Sequence, residues 1–240
     1  MERDAFALMA AAERDHWWFK ARREFIAAAV DRVAPPSDAR ILDAGCGSGG
    51  NLALLARFGS VWGFEYDRDA LQAAAETRIG IVAHGSLPDS VPFGTTSFHV
   101  IGLFDVLEHL PQPVESLVAL AARLSGDGSI VITVPANPWL WGPHDVQHQH
   151  QRRYTERSLR QHLSSAGLCV EYLSYFNTLL LPLAIVQRFR ERFFGYSTNA
   201  LTPGRAMNDA LFRIWRAERA WIPRFTAPLG LSLLAIAKRA

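Results

Sequence analysis

Residues 41–51 read ILDAGCGSGGN, and four glycines (Gly45, Gly47, Gly49, Gly50) fall within six positions. An apolar run ending in Asp43, a glycine-rich turn and the helical run Asn51–Ala56 spell strand, tight turn and helix. Glycine lets the backbone come close to a ligand, and the helix start behind it presents unpaired N–H groups. The spacing Gly45-x-Gly47-x-x-Gly50 also fits the dinucleotide fingerprint, so the glycines alone leave the ligand open. Asp43 separates the two readings. A carboxylate two residues before the first glycine repels a pyrophosphate and attracts an ammonium or sulfonium cation. That points to S-adenosylmethionine. Further on, Ser60–Phe64 reads as a short strand ending in Glu65, placed to accept hydrogen bonds from two ribose hydroxyls. Taken singly, Glu65 is as readily a surface acid.

These residues need a scaffold, and the apolar periodicity supplies one. Strands are expected near 39–43, 60–65, 80–84, 98–104, 128–134 and 168–175, with helices near 50–58, 68–78, 113–124 and 156–166. Such alternation predicts an α/β fold, a Rossmann-like, mostly parallel sheet with helices on both faces. Residues 4–33 read as an N-terminal helix broken near Arg14–His16 and ended by Pro35-Pro36.

From this point the chain resembles the class I S-adenosylmethionine-dependent methyltransferases (type 11/type 12-like). LDAGCGSG is similar to that family's first motif, GFEYD to its second, and PQPVESLVALAARLSGDGSIVITVP to its later helix and strand. HWWFKARREF, PWLWGPHD and RRYTERSLRQHLSSAG resemble a bacterial subgroup. The resemblance covers about residues 38–175. It implies a seven-stranded sheet whose last strand, near 229–238, lies antiparallel beside the sixth, and S-adenosylmethionine as cofactor. It also implies a cofactor site of Asp43, Ala44, Gly45, Cys46, Gly47, Gly49, Glu65, Tyr66, Ser86, Leu87 and Phe104. Ser86 occupies the place where many members carry an acid for the adenine amino group. The segment Phe104–Leu110 would lie beside the transferred methyl group, which makes His109 the first candidate for a general base. Asp105, Glu108 and His109 are similar to an acid-x-x-Glu-His trio that holds a cation in some ubiquinone-pathway O-methyltransferases. Metal-free relatives carry the same residues, and no metal is assigned.

Methyl transfer from a sulfonium chiefly requires alignment, and a base is needed only where the acceptor must lose a proton. The loop 135–145 falls at the carboxyl edge of the sheet, where open α/β folds bind ligands. His144 there could act as base or orient the acceptor, and Trp141, Arg152, Arg153 and Tyr154 continue the segment. The two arginines could clamp a carboxylate or phosphate; a polar loop capped by the next helix accounts for the same residues. Histidines at 144, 148 and 150 lack cysteine partners and a firm ligand geometry, so a substrate site is the better reading. His16 and Trp17 would close over the site from the N-terminal helix, or else anchor that helix to the sheet.

Composition bounds the rest. The chain has 240 residues, 49% hydrophobic and 20% charged, enough for one domain with a core. Net charge is +2, which gives no reason to expect a nucleic-acid partner. Two cysteines suggest no disulfide framework, and MERDAFALM lacks the order of a signal peptide, so a cytoplasmic protein is expected. Residues 176–224 break the alternation and read as a helical insertion. Tyr172–Gln187 carries no charge over 16 residues, too few to span a bilayer. Leu179, Leu183, Val186 and Phe193 share one helical face; Met207, Leu211, Ile214, Trp215 and Trp221 share another. Two packed helices capping the site, or a lid in peripheral contact with lipid on the inner membrane face, both fit. The expected activity is methyl transfer to an oxygen on a small, lipid-linked, sugar or phenolic acceptor. A nicotinamide-dependent oxidoreductase and a non-catalytic cofactor-binding subunit remain as alternatives, and the oligomeric state is open.

Overall fold

Alternation of apolar residues decides the architecture. The computed structural model describes residues 16–194 and 204–240. Seven strands form one sheet: β1 (Arg40–Ala44), β2 (Ser60–Glu65), β3 (Ile81–His84), β4 (Phe98–Phe104), β5 (Leu124–Pro135), β6 (Leu168–Phe176) and β7 (Ser232–Arg239). Their order is β3-β2-β1-β4-β5-β7-β6, with β7 antiparallel to both neighbours. Successive residues of a strand point to opposite faces, and the core divides accordingly. Leu42, Leu103, Ile132 and Leu233 pack under α4 (Pro113–Ala121) and α6 (Glu156–Ser165). Ile41, Val100, Val131 and Ile236 pack under α1 (Trp17–Val33), α2 (Leu52–Leu55) and α3 (Arg68–Glu76). Strands buried on both faces explain the nearly unbroken apolar run FHVIGLF of β4.

The helices begin where the sequence provides caps. The Asp67 carboxylate accepts from the amides of Asp69 and Ala70, and the Thr155 hydroxyl from that of Ser158. Pro113 opens α4, where its missing N–H costs nothing. The seven-stranded sheet and its antiparallel last strand agree with the sequence reading. Boundaries shift in two places. The helix expected over 50–58 contracts to Leu52–Leu55, since Asn51 gives no side-chain cap. The fifth strand begins at Leu124 rather than 128, because Leu124 pairs with Phe98 before a bulge resets the register to Val100 and Ser129. The expected helix break near Arg14 concerns residues of which 1–15 lie outside the described residues.

The insertion forms α7 (Leu181–Phe194) and α8 (Arg205–Ala217), followed by a 3-10 turn at Glu218–Ala220. A short helix, α5 (Pro143–Gln147), lies in the loop after β5. Residues grouped on one face of α8 by periodicity divide in the structure. Trp215 is buried against Phe25, Phe176 and Trp17, while Met207 and Ile214 face outward. The Glu218 carboxylate accepts from the amides of Thr178 (2.9 Å) and Leu179 (2.6 Å), tying the chain just before α7 to the end of α8. Leu179, Leu183, Val186 and Phe193 remain exposed. Among the described residues no helix is long and apolar enough to cross a membrane.

Candidate active site

β1 connects to β2 on one side of the sheet and neighbours β4 on the other, so strand order reverses between β1 and β4. The crevice beyond their carboxyl ends is the expected ligand position. The glycine loop begins there. Gly45, Gly47 and Gly49 all take left-handed backbone conformations, with φ of 75°, 56° and 87°. The amides of Gly45 and Cys46 donate to the Phe64 carbonyl at 2.9 and 3.0 Å, which binds the loop to β2. A Cβ on Gly45 would lie 2.7 Å from Val106 Cγ2, so the loop and the turn after β4 touch. A Cβ on Gly47 would meet nothing within 4 Å, which leaves space for a ligand against bare backbone.

Two carboxylates border that space. Asp43 is buried at the end of β1, in register with Gly63 on β2 and Gly102 on β4. Glu65 ends β2: its Oε2 accepts from the Gly47 amide (2.9 Å), and its Oε1 from those of Tyr66 (2.8 Å) and Asp67 (2.9 Å). Burial pushes the Cys46 thiol well above the ordinary cysteine range, and the charges of Asp43 and Glu65 push it further. The loop is therefore a negative environment. It suits the sulfonium and ammonium groups of S-adenosylmethionine and opposes a pyrophosphate. Ala44, Cys46 and Phe104 have buried side chains and offer backbone. Tyr66 is exposed, with its ring 6.1 Å from that of His84. Ser86 exchanges two 2.9 Å amide–carbonyl bonds with Ser90, holding Leu87 in the turn between them.

The other half of the crevice is made by side chains. Asp105, directly after β4, has φ 54° and pairs with Arg22 of α1 at 2.6 Å. A non-glycine residue in that region is uncommon and concentrates at functional turns. His109 and His150 have ring centroids 4.8 Å apart, and His144 and His148 4.2 Å apart. Burial, then the neighbouring His150, lowers His109 to about 4. Burial, then His148, lowers His144 to about 3. Both are neutral imidazoles at physiological pH.

Asp145 holds this cluster. Fully buried, it accepts from the Gly142 amide (2.9 Å), pairs with Arg153 Nε (2.8 Å) and bonds His150 Nδ1 (2.9 Å). Burial opposes its charge, but the bonds from His150 and Arg153 outweigh it and keep the carboxyl below the usual range. Arg153 also donates to the Ala136 carbonyl, so its guanidinium is committed to the loop. Tyr154 is buried, with its hydroxyl 3.4 Å from the Leu107 carbonyl; burial pushes that hydroxyl up to about 12. Arg152 is half-buried beside Tyr154, and Trp141 is exposed on the loop. The Trp17 amide donates to Asn208 and its ring packs 5.7 Å from Trp215; the His16 ring lies 5.6 Å from Trp17. Trp17 thus joins α1 to α8, and His16 caps the start of α1. Sequence reasoning missed Asp145 as the organising group and the Arg22–Asp105 pair. Only the carboxylate three residues after Gly142 hinted at the first.

A family model described as a methyltransferase domain matches residues 18–173. The chain belongs to that family. It is a class I S-adenosylmethionine-dependent methyltransferase, and S-adenosylmethionine is its cofactor. Solved structures share the fold at low identity. An S-adenosylmethionine-dependent methyltransferase from Clostridium acetobutylicum has a TM-score of 0.63 at 11% identity, covering 99% of this chain and 98% of that one. A TehB-like one from Corynebacterium glutamicum has a TM-score of 0.55 at 18% identity, covering 89% and 87%. Another, from Aquifex aeolicus, has a TM-score of 0.52 at 18% identity, covering 61% and 81%. No curated protein matches the chain.

Proposed function

We propose that this methyltransferase transfers the methyl group to an oxygen of an amphipathic acceptor, a lipid-linked, sugar or phenolic hydroxyl. One observation carries the reading: His109, in the turn after β4, and His144, in the loop after β5, meet around His150 with ring centroids 4.8 and 6.3 Å from it, where burial holds both imidazoles below the ordinary histidine range. A hydroxyl must lose its proton as the new bond forms, and a neutral imidazole nitrogen can take it. When bound, S-adenosylmethionine supplies an electrophilic methyl group on a sulfonium leaving group. The glycine loop, Asp43 and Glu65 would hold it. The exposed Leu183, Val186 and Phe193 on α7 support an acceptor met at a lipid surface, through peripheral contact of the helical insertion.

The test is calorimetric titration with S-adenosylhomocysteine, with NAD as the control, followed by a screen of lipid-linked and phenolic hydroxyls. Micromolar binding of the first ligand, none of the second, and O-methylated product would bear the proposal out. Binding without turnover on hydroxyls but with turnover on amines would overturn the oxygen acceptor.

A further inference from the structure

We propose that Glu108, His109 and His150 form a binding site for a single divalent transition-metal ion. Their ligand atoms all lie within 4.8 Å of one another. A carboxylate oxygen with two imidazole nitrogens is a donor set suited to zinc and its neighbours. Ligand bonds of about 2.0–2.2 Å place adjacent donors roughly 3.3 Å apart.

Three further features favour an ion. Glu108 is fully buried, and neither carboxylate oxygen has a hydrogen-bond partner. An unsatisfied buried carboxyl is costly, and a cation beside it removes the cost. His150 is already oriented as a ligand: its Nδ1 is bonded to Asp145 at 2.9 Å, which leaves Nε2 with its lone pair free to coordinate. A carboxylate behind a ligating histidine is the common supporting arrangement in metal sites, and Arg153 and the Gly142 amide fix that carboxylate in turn. Finally, the backbone locks the two ligand segments together. The Gln151 amide donates to the Glu108 carbonyl at 2.8 Å, directly joining the turn after β4 to the His150 loop.

The inference deepens the acceptor-side reading above and rests on it only for the ion's role. There the ion would bind the acceptor oxygen and ease loss of its proton, with His109 as a ligand and His144 as the proton acceptor. Ion binding itself rests on the geometry.

The test uses the full chain, free of affinity histidines and stripped with chelator, titrated with Co2+ and Zn2+. The expected result is one ion per chain, with a Co2+ visible spectrum of nitrogen and oxygen ligation. Glu108→Gln and His150→Gln should each weaken binding at least tenfold, and Asp145→Asn by about 10–100-fold. His144→Ala with His148→Ala should leave it within a few-fold. His150→Gln replaces an imidazole by an amide that can still bond Asp145, so this variant keeps the test open if Glu108→Gln fails to fold. Absence of binding, or binding lost only in the His144 and His148 variants, would overturn the site. S-adenosylhomocysteine affinity of the stripped chain reads the cofactor half separately, so failure of one reading leaves the other standing.

Discussion

The two halves of the crevice are made of different material. From Asp43 to Glu65 the cofactor half is largely backbone: left-handed glycines, amides tied to the Phe64 carbonyl, and a carboxylate that caps the loop. The half proposed above for the acceptor is side chains, brought together from α1, the turn after β4 and the loop after β5. A backbone site fails when stereochemistry fails. A side-chain site fails when one charge or one imidazole is removed, and it can change its substrate without rebuilding the sheet.

The largest effect should come from Gly45→Val. The residue sits at φ 75°, where a β-branched side chain is strained, and its Cβ would lie 2.7 Å from Val106 Cγ2. Calorimetry should show S-adenosylhomocysteine binding abolished. Retained affinity would mean that the loop does not hold the cofactor. Next comes His144→Ala, which alters only the acceptor half. Turnover on a hydroxyl acceptor should fall by about 10²–10⁴, while S-adenosylhomocysteine affinity stays within a few-fold. If both quantities fell together, the division between the halves would be lost.

Asp145→Ala tests whether the acceptor half is a stability element as well. Asp145, His150 and Arg153 are all largely removed from solvent, so taking away the carboxylate strands their donors. Urea unfolding should show a loss of about 3–5 kcal/mol. Glu156→Ala breaks a pair with Arg160 in which both side chains are about half exposed, and should cost under roughly 0.5 kcal/mol. Equal losses would show that Asp145 does not organise the cluster.

This contrast also explains what could be read from the chain. The strand-turn-helix around Asp43 is local: the Gly45 and Cys46 amides bond Phe64 and the Gly47 amide bonds Glu65, all within one β1–α2–β2 unit. Strands β1, β2 and β4 were legible for the same reason, since Ile41–Leu42 and Val100–Leu103 form short apolar runs beside turn signals. Family resemblance pointed to His109, but nothing in the spacing pointed to its pairing with His150, 41 positions on. Nor does the sequence state that Arg153 turns inward to Asp145 instead of outward to a substrate. On α8, periodicity put Ile214 beside Trp215, but packing on α1 buried only Trp215. Tertiary pairing supplies what periodicity lacks.

The last contrast lies between the two cysteines. Cys169 lies on the exposed side of β6, whereas Cys46 is buried inside the glycine loop. The thiolate is the form that alkylates, and Cys46 is kept as the thiol first by burial and then by Asp43 and Glu65. Under native conditions iodoacetamide should label Cys169 readily and Cys46 at least about a hundredfold more slowly, as read by peptide mass spectrometry; in urea the two rates should converge. Charge and burial can then be separated by Asp43→Asn. It removes the larger of the two charge effects that oppose thiolate formation while leaving Cys46 in its packed position, so Cys46 should label faster than in the parent chain yet slower than Cys169. An unchanged Cys46 rate in that variant would assign the protection to burial alone. A sulfonium ligand would then find no electrostatic preference at the loop.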